Sequence, residues 1–247
     1  MTLTIDGYAR DLEQFAQTKF IGKYISEKSK HTLIEKAQSL SDIIKRKKGK
    51  NQPVEWKFEI PIDEPIKFIK SCSDSLNFEL DVSCEIEGKN LTITKQNILL
   101  RLWSLDKKIC FRNGIDDPEL ENAIEKNGHR RVILRFHFDK KDPKTTIPEP
   151  QFHMQVGGIH ESYENCWIPK EIKIPRLPFL PLDFILLCEI ILVNFFPMES
   201  EDLRKKPEWK SLIKKSQEMF LRQYIENCSG YLNNAESTFL EKIIYEV

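Results

Sequence analysis

The chain is expected to fold as an α+β protein, an antiparallel β-sheet covered on one face by N-terminal and C-terminal helices. Three observations predict this. The middle of the chain holds several runs in which apolar and polar residues alternate with a period of two, the signature of half-buried strands. The segments on either side carry apolar residues at helical spacing, and one run, Leu182 to Phe196, is almost wholly apolar between a proline-punctuated approach and Pro197. Clean alternation favours antiparallel strands, because a parallel sheet covered on both faces reads as continuous apolar runs. Strands in one block flanked by helices in others give the α+β class. The 247 residues are read as a single α+β domain: a helical segment over 1–50, the sheet over 51–160 and helices over 175–247.

Residues 8–47 are helical in composition, with Leu12, Phe15, Ala16 and Phe20 in the first half and Leu33, Ile34, Ala37, Leu40 and Ile44 in the second. One helix of that length would run about 60 Å, against a radius of gyration of about 18 Å for a domain of this size. A break is therefore expected, with Ser26 to His31 the best place for it. In the sheet block, Trp56, Phe58, Ile60 and Ile62 form one alternating run and Leu76 to Ile86 a second. Glu87-Gly88-Lys89-Asn90 reads as a hairpin turn into Leu91, Ile93 and, after a change of parity near Gln96 that suggests a bulge, Ile98, Leu100 and Leu102. Val132 to Phe138 and Phe152 to Val156 complete five or six strands.

The helices expected to cover the sheet are 182–196, then a segment from 203 or 208 to 227 striped by Trp209, Leu212, Ile213, Phe220 and Tyr224, then 235–246. The first of these is about 22 Å long as a helix, too short for a bilayer core of about 30 Å. It also contains Asp183, Glu189 and Asn194. It is read as a central core helix, with Asp183 capping its first turn. Glu189 lies in its middle and needs a rim position or a cation such as Arg176. Pro175, Pro178 and Pro181 hold the approach extended and carry Arg176 toward the core helix.

Lys and Arg number 38 and Asp and Glu 38, so no global charge marks a nucleic-acid or membrane-surface binder. Six cysteines, Cys72, Cys84, Cys110, Cys166, Cys188 and Cys228, show no C-x-x-C pair, and the N-terminus shows no basic region followed by an apolar one. Reduced thiols and a cytoplasmic location are expected. No dinucleotide-binding or phosphate-loop glycine pattern and no G-x-S-x-G elbow is present, and no cofactor is expected.

Four of the five histidines fall between 129 and 160. His137 and His153 lie on adjacent candidate strands. With Arg131, Arg135, Asp139 and Gln155 they share odd parity, so all should project from the polar face if the two strands pair. Arg135, His137, His153 and Gln155 are the candidate ligand or partner face. As chemistry, His137, Asp139 and His153 could act as acid and base around a phosphate held by Arg135 or Arg176, and His137 and His153 are candidate metal ligands. A sheet face that simply carries imidazoles explains the same residues. His160-Glu161-x-x-Glu164 matches a metal-binding helix incompletely. Glu171-Ile172-Lys173 with Asp139 upstream fits a nuclease pattern, but Glu55-Trp56-Lys57, Glu87-Gly88-Lys89 and Glu208-Trp209-Lys210 fit the same form, as expected by chance in a chain this charged.

The segments RFHFD, QFHMQVGG and PRLPFLPLDFILLCEIILVNFFP, within residues 131–197, resemble a recurrent pattern in uncharacterised bacterial proteins from phage-defence gene neighbourhoods. The resemblance covers about a quarter of the chain. It implies a bacterial, defence-associated setting and supplies no catalytic role. The favoured reading is a non-enzymatic interaction or accessory subunit of a prokaryotic complex, with a protein partner or a second copy as its contact and no membrane. The alternatives are a metal-dependent hydrolase or nuclease using His137, Asp139 and His153 with Arg176 assisting, and a nucleic-acid-binding accessory protein using Lys45 to Lys50 with Arg130, Arg131 and Arg135.

Overall fold

The structure, a computed structural model, describes residues 4–17, 21–47, 53–69, 78–104, 131–144, 149–157 and 176–232. The N-terminal region folds as α1 (Ile5–Gln17), a single 3-10 turn (Ile21–Lys23) and α2 (Glu27–Lys47). Each helix buries one stripe: Tyr8, Leu12, Phe15 and Ala16 on α1, and Leu33, Ala37, Leu40 and Ile44 on α2. The break falls ahead of the Ser26 to His31 window. Ser26 caps α2, its Oγ accepting from the Ser29 N–H at 3.2 Å, while its own N–H donates to the Lys67 carbonyl at 3.0 Å in the sheet. One residue thus starts the helix and ties it to a strand.

Seven strands among the described residues form one antiparallel sheet: β1 (Glu55–Ile60), β2 (Ile66–Phe68), β3 (Phe78–Lys89), β4 (Thr92–Ser104), β5 (Arg131–Lys140), β6 (Phe152–Val156) and β7 (Leu177–Pro178). The order is β1-β3-β4-β5-β6-β7, with β2 following β1 along the same edge of β3. Two strands extend the sequence expectation: β2, a three-residue run, and β7, the extended proline approach, which pairs with β6 at only two positions. A proline is tolerated there because an edge strand can do without one N–H.

The β3–β4 turn falls at the last residue of the expected tetrapeptide and the one after it, Asn90 and Leu91. Glu87, Gly88 and Lys89 continue the strand, Lys89 pairs with Thr92, and Asn90 takes the positive φ of 52° that the reversal needs. Pairing then jumps from Gly88–Ile93 to Glu87–Lys95, so the bulged residue is Thr94, two positions before Gln96. A second bulge, where Leu102 pairs with Leu134 but Trp103 with Val132, puts Arg131 out of step with Arg135.

The helices cover one face. α3 (Phe184–Phe195) is buried along most of its circumference. Phe184 meets the rings of Phe15 and Phe58, and Phe196 those of Tyr24 and Phe68, so this helix joins the N-terminal pair to the sheet. Asp183 caps it as expected, accepting from the Leu186 and Ile185 N–H groups at 3.1 and 3.3 Å. The stretch expected from 203 or 208 to 227 is three pieces: α4 (Glu201–Lys205), α5 (Pro207–Phe220) and α6 (Arg222–Leu232). Pro207 at the first position of α5, with no N–H to give, divides the first two. The expected helix over 235–246, like the residues Leu76, Asn77 and Phe20 of other expected elements, lies outside the described residues. No helix among the described residues is long and apolar enough to cross a membrane.

Candidate functional site

The second face of the sheet, away from the helices, is built by odd-numbered residues of β3 to β6. Three cross-strand rows matter. Asp81 on β3 lines up with Arg101 on β4 and Arg135 on β5; Ser83 with Leu99, His137 and Gln155; Glu85 with Asn97, Asp139 and His153. The expected shared face of Arg135, His137, Asp139, His153 and Gln155 is therefore present, with Asp139 directly opposite His153.

The rows differ sharply in exposure. In the first, Asp81, Arg101 and Arg135 are buried. Arg101 grips Asp81 through Nε at 2.7 Å and Nη2 at 3.1 Å, while the Trp103 indole N–H donates to the same carboxylate at 2.8 Å. The guanidinium also lies over the Trp103 ring. This cluster is a closed electrostatic unit, and a buried Arg135 cannot reach a phosphate backbone. At the other end of the face Lys57, Glu59, Lys95 and Asn97 are exposed. There Lys57 bridges Glu59, Glu85 and Glu87, and Lys95 bridges Glu85 and Glu87, across three strands.

At this exposed end lies a groove of about 650 Å³. Its floor is Ser83, Asn97, Leu99, His137 and Asp139; Pro61 and Ile62 wall one side, and Lys141 to Pro143 the other. His137 and Asp139 thus open into one space. His153 does not join them there. It is buried at 3 % exposure, and its Nδ1 lies 3.1 Å from the Pro150 carbonyl. A carbonyl only accepts, so Nδ1 carries the hydrogen; burial lowers the ring's pKa, the hydrogen bond to Pro150 opposing it.

Arg176 is delivered beside this group, to Glu149. Its Nε is 2.9 Å from Glu149 Oε2, and Glu149 is buried. The alternative pairing expected from the sequence, Arg176 with Glu189, is not made. Glu189 instead accepts from the Trp209 indole N–H at 2.7 Å and pairs with Arg204 at 3.3 Å, on the helix side of the sheet. Asp139 has neither a hydrogen bond nor an ion pair among the described residues. Burial raises its carboxyl to about 6, the positive field of Arg176 opposing and the negative field of Glu149 adding to the effect.

No three of the His, Cys, Asp and Glu side chains among the described residues converge closely enough to hold a metal ion. His129, His160-Glu161-x-x-Glu164, Glu171-Ile172-Lys173, Gly158, Trp167, Lys48 to Lys50, Arg130, Cys72, Cys110 and Cys166 lie outside the described residues. Gly157 follows β6, with φ of 81° and its N–H on the Arg135 carbonyl at 2.7 Å. Sequence reasoning missed Asn97, Glu85 and Glu149. The first two follow from extending the odd-parity rule across β3 and β4 once the Thr94 bulge is placed; nothing in the PEP tripeptide that holds Glu149 signals an ion pair. Comparison with protein-family models, curated proteins and solved structures gave no match.

Proposed function

We propose that this chain is a non-enzymatic interaction or accessory subunit of a cytoplasmic prokaryotic complex, and that it receives a protein partner in the groove on the second face of its sheet. The observation that carries this is the groove itself, about 650 Å³ and floored by rigid paired strands. Most charges around it are already fixed to one another across β1, β3 and β4, which preorganises the surface and lowers the cost of ordering it on binding. Placement in anti-phage defence rests on the resemblance of residues 131–197 alone.

The test is capture of the products of adjacent genes by the full chain. Thr94→Trp and Asn97→Trp, both at exposed positions lining the groove, fill it without touching the core. Capture by the wild type and its loss in both variants at unchanged thermal midpoint is the expected result; capture that survives the filling removes the groove from the reading.

A further inference from the structure

We infer that the groove holds a subsite for one arginine side chain of the partner, received by the Asp139 carboxylate with the Asn97 side-chain oxygen beside it. This rests on the reading of the groove as a partner surface and names the chemistry that it reads. Four observations converge.

Asp139 and Asn97 are direct cross-strand partners and both line the groove. Neither side chain has a hydrogen-bond or ion-pair partner among the described residues, whereas Glu59, Glu85 and Glu87 in the same region are engaged by Lys57 and Lys95. Two nearby cations are held elsewhere: Arg176 by Glu149 at 2.9 Å, and Lys140 by the Ile93 carbonyl at 2.8 Å and the face of Phe152. Finally, Asp139 is removed from most solvent contact, and burial raises its carboxyl to about 6.

A half-buried carboxylate with no ion pair or hydrogen bond of its own is costly, the field of Arg176 offsets only part of that cost, and an incoming cation in contact with it lowers the rest. A guanidinium suits the pair of acceptors better than an ammonium. Its planar fork can donate to a carboxylate and to a neighbouring oxygen at once, and it is more weakly hydrated. Leu99 on the floor and Ile62 on the wall offer apolar surface to the three methylenes of the side chain.

The test uses the full chain, isotope-labelled, and N-acetyl-arginine amide as the probe, followed by NMR. Saturable shifts at the Asn97 side-chain amide and the Leu99 backbone are expected at pH 7.5. The uncharged isostere, N-acetyl-citrulline amide, should give none, and N-acetyl-lysine amide should bind more weakly. Asp139→Asn should abolish the response, while Asp202→Asn, exposed on α4 and away from the groove, leaves it intact. Affinity should fall about tenfold from pH 7.5 to pH 5, as a carboxylate titrating near 6 takes up its proton, and Asp139→Asn should show no binding at either pH. The other charged and titratable groups facing Asp139 are His137 on its own strand, Glu85 and Lys95 from β3 and β4, His153 from β6, Glu149 and Arg176 beside β7, and Lys140, Lys141 and Asp142 at the end of β5. Only a dependence that vanishes with Asp139 counts for the subsite.

Citrulline binding equal to arginine, lysine binding as tight as arginine, or an undiminished response in Asp139→Asn overturns the inference. Its failure is separable from that of the parent reading. If the tryptophan variants abolish partner capture while the arginine probe gives no shifts, the partner surface stands and the subsite falls. If the probe binds but capture survives the filled groove, the reverse holds.

Discussion

Gly88 shows how a single residue's lack of a side chain can be a structural requirement. It sits opposite Trp56 in the β1–β3 ladder, and a methyl group built on it would lie 2.4 Å from two carbons of the Trp56 indole, well inside van der Waals contact. The same indole donates from Nε1 to the Asn90 carbonyl at 2.7 Å, so it is anchored at the hairpin turn and has no free direction in which to move. Gly88 is not at positive φ, so an alanine there would cost nothing in backbone strain and everything in overlap. Gly88→Ala should destabilise the protein by about 2 kcal/mol, the scale of overpacking in a closed core. Trp56→Leu, which removes the ring, should make the same substitution nearly neutral. Urea unfolding of the two single variants and the double variant measures the coupling; equal penalties in both backgrounds would refute the contact as the cause. The sequence shows why this pair was misread. Gly-Lys-Asn looks like turn chemistry from position 88, and only the cross-strand partner reveals that the glycine makes room while Asn90 makes the turn.

At the level of elements, joins between helices and strands rest on few polar contacts. Glu189 projects from the middle of α3 to Arg204 on α4 and the buried Trp209 on α5. Removing its carboxylate leaves the indole N–H without an acceptor, so Glu189→Ala should cost about 2 kcal/mol, and Glu189→Gln, which keeps an oxygen in reach, less than half of that. Equal losses for the two variants, read by chemical denaturation, would place the effect in packing instead. Ser29 makes a second join: its Oγ accepts the Lys67 N–H of β2 at 2.8 Å and is itself donated to by Ser26. Ser29→Ala should speed amide hydrogen exchange at Lys67 by tenfold or more while the β4 amides stay protected, because β2 is three residues long, pairs with β3 on one edge and has only the isolated Ile25–Phe68 bridge on the other. Both joins explain what periodicity could and could not supply. Helices and strands with a regular apolar stripe were legible, since one buried face imposes the period. Short pieces such as β2, β7 and α4 were not, because two to five residues carry no period and are fixed by their neighbours. Glu189 was visible as an anomaly in an apolar run, but its partner came from a helix that the sequence had merged with the next one.

Across the whole molecule the sheet is protected on both faces at one end and open at the other, and this asymmetry places Asp139 where its ionisation opposes folding. In the unfolded chain its carboxyl titrates near the ordinary 3.8; in the fold burial holds it at about 6. Below pH 4 both states carry the proton and the group contributes nothing. Between pH 4 and 6 the folded state binds more protons than the unfolded one, so stability falls as pH rises, and above 6 the penalty is constant. A shift of this size, reduced for the partial exposure of the site, corresponds to about 2 kcal/mol. Glu85, held low by Lys57 and Lys95, acts in the opposite sense, as does any other ion-paired carboxylate, so the pH profile of the wild type alone is a mixture. The difference between wild type and Asp139→Asn isolates the term. The variant should gain about 2 kcal/mol relative to wild type at pH 7 and lose that advantage as the pH is lowered through 6 to 4, measured by urea unfolding at each pH. Curves that run parallel from pH 4 to 7 would mean that Asp139 titrates normally in the fold. The cluster of histidines drew attention to this face in the sequence; the fold gives the unpaired charge to the aspartate between them, because His153 is sealed against Pro150 and Arg176 is taken by Glu149.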